Sequence, residues 1–379
     1  MMTFQSGRTK EMSAQEAEDK IYVASQLQLT WWKFRKHRMA VVSTLLIALF
    51  YLVALFAEFV APYDPNETDT AYLYVPPRGL HFLGPDGLHL RPFVYGLELQ
   101  VDEVTYRKTY TNDTSVMYPV HLFVHGSAYK MWGLFEADIH LFGLENQQKG
   151  LFLLGTDKLG QDVLSRVIYG ARISLSVGLL GIGISLILGI VIGGASGFYG
   201  GVIDIIAQRV IEFIRSIPTT PLWMALSAAL PPDWPPLNRY FGITIILSLI
   251  GWTGLARVVR GRFLSLREQD FVLAAALAGA TEWRIIIRHM VPSFMSYLIA
   301  SVTLSIPGMI LGETSLSFLG LGLRPPVVSW GVMLKDAQHL RVVAQAPWLL
   351  LPGAFVVITV LGFNFVGDGI RDAVDPYAR

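Results

Sequence analysis

The chain has 379 residues, 53% of them hydrophobic and 16% charged, with a mean hydropathy of +0.46, more apolar and less charged than soluble domains are. It is therefore expected to cross a membrane several times, and its net charge of +1 supplies no basic field for nucleic acid. With no cysteine, disulfides, thiolate metal sites and cysteine nucleophiles are excluded.

Residues 1–38 read as a polar cytoplasmic segment ending in "WWKFRKHR". The run 39–61 is long enough to cross roughly 30 Å of hydrocarbon at about 1.5 Å per residue. Lys33, Arg35, Lys36 and Arg38 place the N-terminus inside. A signal peptide is disfavoured because the exit "EFVAPYDP" has bulky Phe59 where cleavage wants a small residue, so this is read as an uncleaved first span.

Residues 62–150 change character. "ELQVDEVTYRKTYTNDTSVMYPVHLFVHG" is rich in Thr, Val and Tyr with partial period-2 alternation, which predicts an inserted, extracytoplasmic β-containing domain. Tyr95, Tyr106, Tyr110, Phe123, Tyr129, Trp132 and Phe135 are expected to form its core.

Five further apolar blocks follow, at 173–197, 202–230, 241–257, 294–318 and 348–366, giving six spans with both termini cytoplasmic. The link after the fourth carries Arg257, Arg260, Arg262, Arg267, Arg284 and Arg288, which independently places it inside. In the second block Gly181, Ser185, Gly189, Gly193 and Gly197 share one helical stripe that admits a close-packed helix, from this chain or from a partner subunit. Pro218, Pro221 and Pro307 are expected to bend or break their helices. Glu313, an ionisable residue in the fifth span, is a pathway candidate together with Ser315 and Pro307, although it could equally cap a broken helix. Glu212 and Arg215, one turn apart, are expected to pair.

Catalytic signatures are missing. The nearest approach to a phosphate loop, "GLFLLGTDK", has Thr-Asp where Lys-Ser/Thr is required, and neither H-E-x-x-H nor G-x-S-x-G occurs. No catalytic residue, cofactor or metal site is expected. His121 and His125 share a face, but in an extended segment they stand roughly 13 Å apart, too far for one ion.

"FVLAAALAGATEWRIIIRHMVPS", residues 271–293, is an apolar helix, a glycine and a second helix stopped by proline, on the cytoplasmic side. Ala274, Ala275, Leu277 and Ala278 give it a flat face rimmed by Glu282, Arg284, Arg288 and His289. Such a helix suits either a groove on another protein or the inner leaflet surface.

This segment resembles the cytoplasmic EAA loop of ABC-importer permeases, in which Glu-Ala-Ala, three residues, Gly, nine residues and Ile-x-Leu-Pro are expected. Ala274, Ala275, Gly279 and Pro292 fall at those places, whereas Leu273, His289 and Val291 depart from the pattern. "LGTDKLGQDVLSRVIYGARISL", "ETSLSFLGLGL" and "VGDGIRDAVDPYAR" are similar to the C-type permease of the oligopeptide/dipeptide/nickel importers, with Gln161 where that family usually has arginine. The resemblance implies an all-α polytopic membrane protein of the ABC importer permease fold in the inner membrane, with a five-helix core at 151–379. It also implies a coupling loop at 262–293 that uses Ala274, Ala275, Gly279, Ala280, Arg284, Arg288 and Pro292. Its implied partners are a second permease subunit, cytoplasmic ABC ATPases that perform the hydrolysis, an extracytoplasmic substrate-binding protein and membrane lipid. Peptides are the expected cargo, with oligosaccharides or metal chelates as alternatives. A secondary transporter is the more distant rival, and it would be expected to carry paired intramembrane carboxylates or internal repeats.

Overall fold

The computed structural model describes residues 26–85, 87–101, 108–145, 150–338 and 340–374. Helices dominate. The short α1 (Gln26–Phe34) leads into α2 (Arg38–Leu55), whose first turn is capped by the His37 ring nitrogen accepting from the Ala40 N–H at 3.2 Å. The long α3 (Val163–Tyr199) starts on Asp162, whose carboxylate accepts from the Ser165 N–H at 2.7 Å, a cap for an otherwise orphaned donor. Its 37 residues extend about 55 Å, so it projects beyond the hydrocarbon rather than starting at residue 173. Two further long helices, α6 (Pro236–Leu266) and α8 (Met295–Phe318), and the final α10 (Leu351–Val374) complete the bundle.

The block at 202–230 does not form one helix. It folds as α4 (Gly201–Ser216) and α5 (Thr219–Ala228), divided at Ile217 and Pro218, because a proline lacks the N–H that would carry the ladder through. Neither half is long enough to cross alone. Among the described residues five helical stretches are long and apolar enough to cross a membrane, where the sequence had suggested six. Pro307 has the opposite outcome: α8 runs through it without ending. Pro292 also fails to stop its helix, which breaks two residues later at Phe294, with φ −125°.

One core joins Ile47 of α2, Leu175 and Ile182 of α3, Ile306 and Ile310 of α8, and Phe363 of α10. Trp330, at the start of α9 (Trp330–Asp336), closes it, its indole N–H donating to the Val167 carbonyl at 3.1 Å. The predicted stripe on α3 is occupied from within the chain. A methyl on Gly193 would meet the Ala256 carbonyl oxygen of α6 at 2.3 Å, and one on Gly197 would meet the Phe263 Cβ at 2.6 Å. The Ser248 hydroxyl donates to the Gly181 carbonyl at 3.0 Å, and that of Ser185 donates to the Ser248 carbonyl at 3.2 Å. Only small residues let two backbones approach this closely.

Between α2 and α3 lies an antiparallel four-stranded sheet in sequential order, β1 (His81–Gly84), β2 (Gly87–Val101), β3 (Lys108–Met131) and β4 (Phe135–Leu144). The long β3 pairs with β2 through its first half (Phe93 opposite Pro119) and with β4 through its second (Val120 opposite Leu144). Its register shifts between Asp113 and Met117, opposite Tyr95 and Gly96 of β2, and again between His125 and Tyr129. At the base of the sheet Val94, Leu144 and Leu151 are buried together with Tyr63 at their edge, and the His140 ring is held by the Ala61 carbonyl at 2.6 Å. Of the aromatics expected to form its core, Tyr95, Tyr110 and Tyr129 are half-buried, with Tyr95 packed on Phe93, whereas Phe123, Trp132 and Phe135 are exposed; Tyr106 lies outside the described residues.

Candidate coupling loop and cleft

The chain between α6 and α8 opens with α7 (Asp270–Leu277) and ends it with a defined stop. The Ala280 N–H donates to the Ala275 carbonyl at 3.1 Å and the Gly279 N–H to the Ala276 carbonyl at 3.0 Å, the pair of bonds of a Schellman motif. That motif needs a left-handed residue at its turn, and Gly279 has φ +79°. Helix then resumes over Glu282–Arg284, continues as a π-helix over Ile285–Met290 and finishes as Val291–Ser293.

One face of this loop is buried. Val272, Ile285, Ile286, Met290 and Val291 pack with Leu255, Val259 and Phe263 of α6 and with Phe294 and Leu298, and Ala275 and Ala280 lean on the same cluster. The other face stands clear: Leu277 is 90% and Trp283 69% exposed, with Phe271, Leu273, Ala274 and Ala278 exposed around them. Ala275 therefore turns inward, away from the outer face that the sequence had assigned it. Arg284, Arg288 and Pro292 are exposed, and among the described residues neither arginine has an ion-pair partner. The Tyr199 hydroxyl, at the end of α3, donates to Glu282 at 2.8 Å and ties the loop to the bundle.

A polar knot lies in the adjoining turn, and sequence reasoning missed it. Arg260 of α6 grips Asp204 of α4 with two bonds, at 2.5 and 2.6 Å, and the Ser196 hydroxyl of α3 donates to the same carboxylate. The available signal was a single Asp in the apolar run "GGVIDIIAQR" beside an arginine-rich helix.

Where α4 breaks from α5, a cleft of about 320 Å³ opens between α4–α5, α6 and α8. Arg215, Thr219 and Trp223 line one side, and Thr253, Ser305 and Gly308 line the others. The expected pairing of Glu212 with Arg215 is replaced by one with Arg209, at 2.7 Å. Among the described residues Arg215 makes no ion pair or hydrogen bond, and the Trp223 indole N–H finds no acceptor. Nothing stands within 4 Å of where a Gly308 side chain would begin, and Ser315, two turns further along α8, is likewise exposed.

Glu313 is not among the residues lining the cleft. It is fully buried, taking hydrogen bonds from the hydroxyls of Ser317 and Ser329 at 2.8 Å each and from Ser174 at 3.3 Å. Each serine in turn accepts a backbone N–H: Ser317 from Leu323, Ser329 from Val332 and Ser174 from Trp330. The carboxyl thus pins the turn after α8 and the start of α9 onto α3. Pro307, a second pathway candidate, is buried within α8.

Residues 185–379 match the family of binding-protein-dependent transport system inner membrane components, and residues 25–77 match the N-terminal transmembrane domain of oligopeptide transport permease C. The oligopeptide transport system permease protein OppC of Bacillus subtilis (strain 168) is 39% identical over 226 residues, 59% of this chain and 72% of the relative. The dipeptide transport system permease protein DppC of the same strain is 40% identical over 227 residues, 59% and 68% of the two chains. OppC of Haemophilus influenzae is 39% identical over 246 residues, 64% of this chain and 76% of the relative. Among solved structures, the inward-facing MetNI methionine ABC transporter aligns with TM-score 0.43 and 16% identity, over 56% of this chain and 97% of the other. A crystal structure of an amino acid ABC transporter with histidines aligns with TM-score 0.39 and 16% identity, over 54% and 92%.

Proposed function

The chain belongs to the family of binding-protein-dependent transport system inner membrane components, and from that premise we propose that it is one half of the translocation pathway of an ATP-driven peptide importer. The observation that carries the coupling part of this reading is the two-faced loop. Its inner face is packed into α6 and α8, while Leu277 and Trp283 present an apolar knob rimmed by Arg284 and Arg288. A knob of this kind, held rigid from behind, suits a groove on a cytoplasmic ATPase better than a lipid surface. Hydrolysis belongs to that partner, and this chain transmits its motion through α6, the Arg260–Asp204 pair and α8.

On this reading α4 and α5 cross together as one broken span, both termini face the cytoplasm, and 62–150 lies outside as an inserted domain. A second permease closes the open side of the cleft, which the small exposed positions Ser305 and Gly308 line from this chain, with exposed Ser315 two turns beyond on α8. Irregular backbone at that depth is tolerated where it borders a wet cavity. The unpartnered Arg215 guanidinium and the Trp223 indole N–H, which lacks an acceptor, suit the carboxylate and carbonyls of a peptide passing through. A binding protein delivers that cargo to the outer face.

The test is reconstitution of the complex with its ATPases, reading peptide uptake and ATPase association together. Retention of the ATPases by the intact chain and their loss in Leu277→Asp is expected. Association unaffected by Leu277→Asp and by Trp283→Ala would overturn the docking assignment.

A further inference from the structure

Among the exposed apolar side chains of the sheet, Trp132, Leu134 and Phe135 lie together at the tip joining β3 to β4, where the chain turns through Trp132 and Gly133 with the Gly133 N–H donating to the Lys130 carbonyl at 3.0 Å, whereas Phe82, Leu83, Leu88 and Leu90 are exposed along β1 and the start of β2. Trp132 is 47% exposed, Leu134 75% and Phe135 63%.

The depth of this tip is set by contacts with α2. The Trp132 indole N–H donates to the carbonyl of Leu55, the last residue of that helix, at 2.8 Å. Its ring lies 5.7 Å from that of Phe56, and nine residues earlier, within β3, Phe123, 64% exposed, packs against Phe59 at 6.1 Å. Arg172 of α3 grips Glu58 at the same level and donates to the carbonyl of Ala54 at 2.9 Å. The hairpin tip therefore sits where a membrane-crossing helix leaves the hydrocarbon.

The apolar surface is also continuous there. Val42, Leu45, Leu49 and Leu52 form an exposed stripe at helical spacing along α2, the face that a spanning helix turns to lipid. At Leu55, itself exposed, that stripe meets Trp132, with Leu134 and Phe135 next in the chain. Just behind, Lys130 and Glu136 pair at 3.1 Å with both side chains solvated, a polar collar behind an apolar tip. Aromatic rings with a polar edge, followed by charges, are the composition of the membrane–water boundary.

We propose that the β3–β4 tip is an interfacial anchor in the leaflet at the Leu55 end of α2, with Trp132, Leu134 and Phe135 seated between headgroups and acyl chains. The proposal rests on the membrane-crossing reading of α2. Lipid is its occupant, because the patch continues a lipid-facing helix stripe instead of standing apart on the sheet. The anchor fixes how the inserted sheet lies. Tethered at α2, the tip stands on the side of the bundle built from α2, α3 and α10, away from the cleft between α4–α5, α6 and α8. The sheet is thus held down at its rim, leaving the cleft mouth free.

The absence of native cysteine makes the test direct. Single variants L134C, F135C, L52C on α2 and L90C on β2, whose side chain is exposed far from the tip, are labelled with a polarity-sensitive fluorophore and reconstituted in lipid nanodiscs. Quenching by nitroxide on the upper acyl carbons is compared with quenching by aqueous iodide. L134C and F135C are expected to be quenched by the lipid nitroxide roughly threefold or more above L90C, and L90C by iodide. Iodide quenching of L134C and F135C equal to that of L90C, with L52C quenched by lipid, would overturn the anchor alone. Protection of both tip positions from both quenchers would also overturn it, by showing a protein partner on the tip. Iodide access at L52C would overturn the crossing reading itself.

Discussion

Glu313 and Arg215, two ionisable side chains of the helical bundle, are built in opposite ways. Glu313 of α8 is sealed, with three serine hydroxyls converging on its carboxyl oxygens and each serine anchored by a backbone N–H. Arg215 of α4 faces a cleft and has no partner among the described residues. An intramembrane charge is a reason to suspect function, but its hydrogen bonds decide what kind. A group whose donors and acceptors are all matched within the chain holds structure together. A cation left with its donors unmatched beside open space is available to something that arrives.

Removing Glu313 gives the largest expected effect. Glu313→Ala leaves three buried hydroxyls without their acceptor and opens a cavity where α3, α8 and α9 meet, at a cost of about 3–5 kcal/mol. Thermal unfolding of the detergent-solubilised chain should shift well below the parent, with Glu313→Gln recovering part of the loss. An unchanged midpoint combined with lost uptake would instead put Glu313 on the pathway and break the contrast with Arg215.

Leu277 tests the same contrast in the loop between α6 and α8. Leu277→Asp alters a side chain with almost no contacts in this chain, so stability should change by less than about 0.5 kcal/mol. ATPase association should weaken roughly thirtyfold, as for the loss of a central apolar anchor worth about 2 kcal/mol. Co-purification at graded detergent and salt reads both quantities.

Arg215→Ala should leave the unfolding midpoint unchanged and lower peptide uptake about tenfold, the worth of one charge-assisted hydrogen bond. Arg215→Lys should retain part of the activity, since it keeps the charge and loses the planar fork. Equal uptake of free and C-terminally amidated peptides by the parent would show that Arg215 does not read the terminal carboxylate.

The difference between local and distant signals explains how much of this could be read from the sequence. Gly279 was legible because a helix ending in alanine and then glycine specifies its own stop, and Pro218 because the missing N–H acts within its own helix. Glu313 stayed ambiguous because its serine partners come from three segments, with Ser174 on α3 139 residues away. The Asp204–Arg260 pair spans 56 residues and was invisible for the same reason. Arg215 was assigned to Glu212 by spacing alone, and the structure gave that carboxylate to Arg209, an equally spaced competitor. The aromatics of the sheet misled for a different reason: alternation marks a surface to be covered and says nothing about whether protein or lipid covers it.

Gly279 gives the smallest effect and the finest discrimination. No atom stands within 4 Å of a Cβ built at this position, so steric collision can be set aside and only the backbone conformation opposes replacement. Alanine in the left-handed region costs about 1 kcal/mol, whereas asparagine enters it readily. The cost falls on the Schellman bonds from Gly279 and Ala280, which set the angle between α7 and the helix that follows. Gly279→Ala should therefore leave global unfolding nearly unchanged while reducing peptide transported per ATP hydrolysed, and Gly279→Asn should stay close to the parent. Equal loss in both variants would mean that the glycine is needed for contact with the ATPase surface, because asparagine keeps the turn and adds only bulk. Loss in neither would mean that the angle of the loop does not carry the coupling, which would then rest on the Leu277 and Trp283 knob alone.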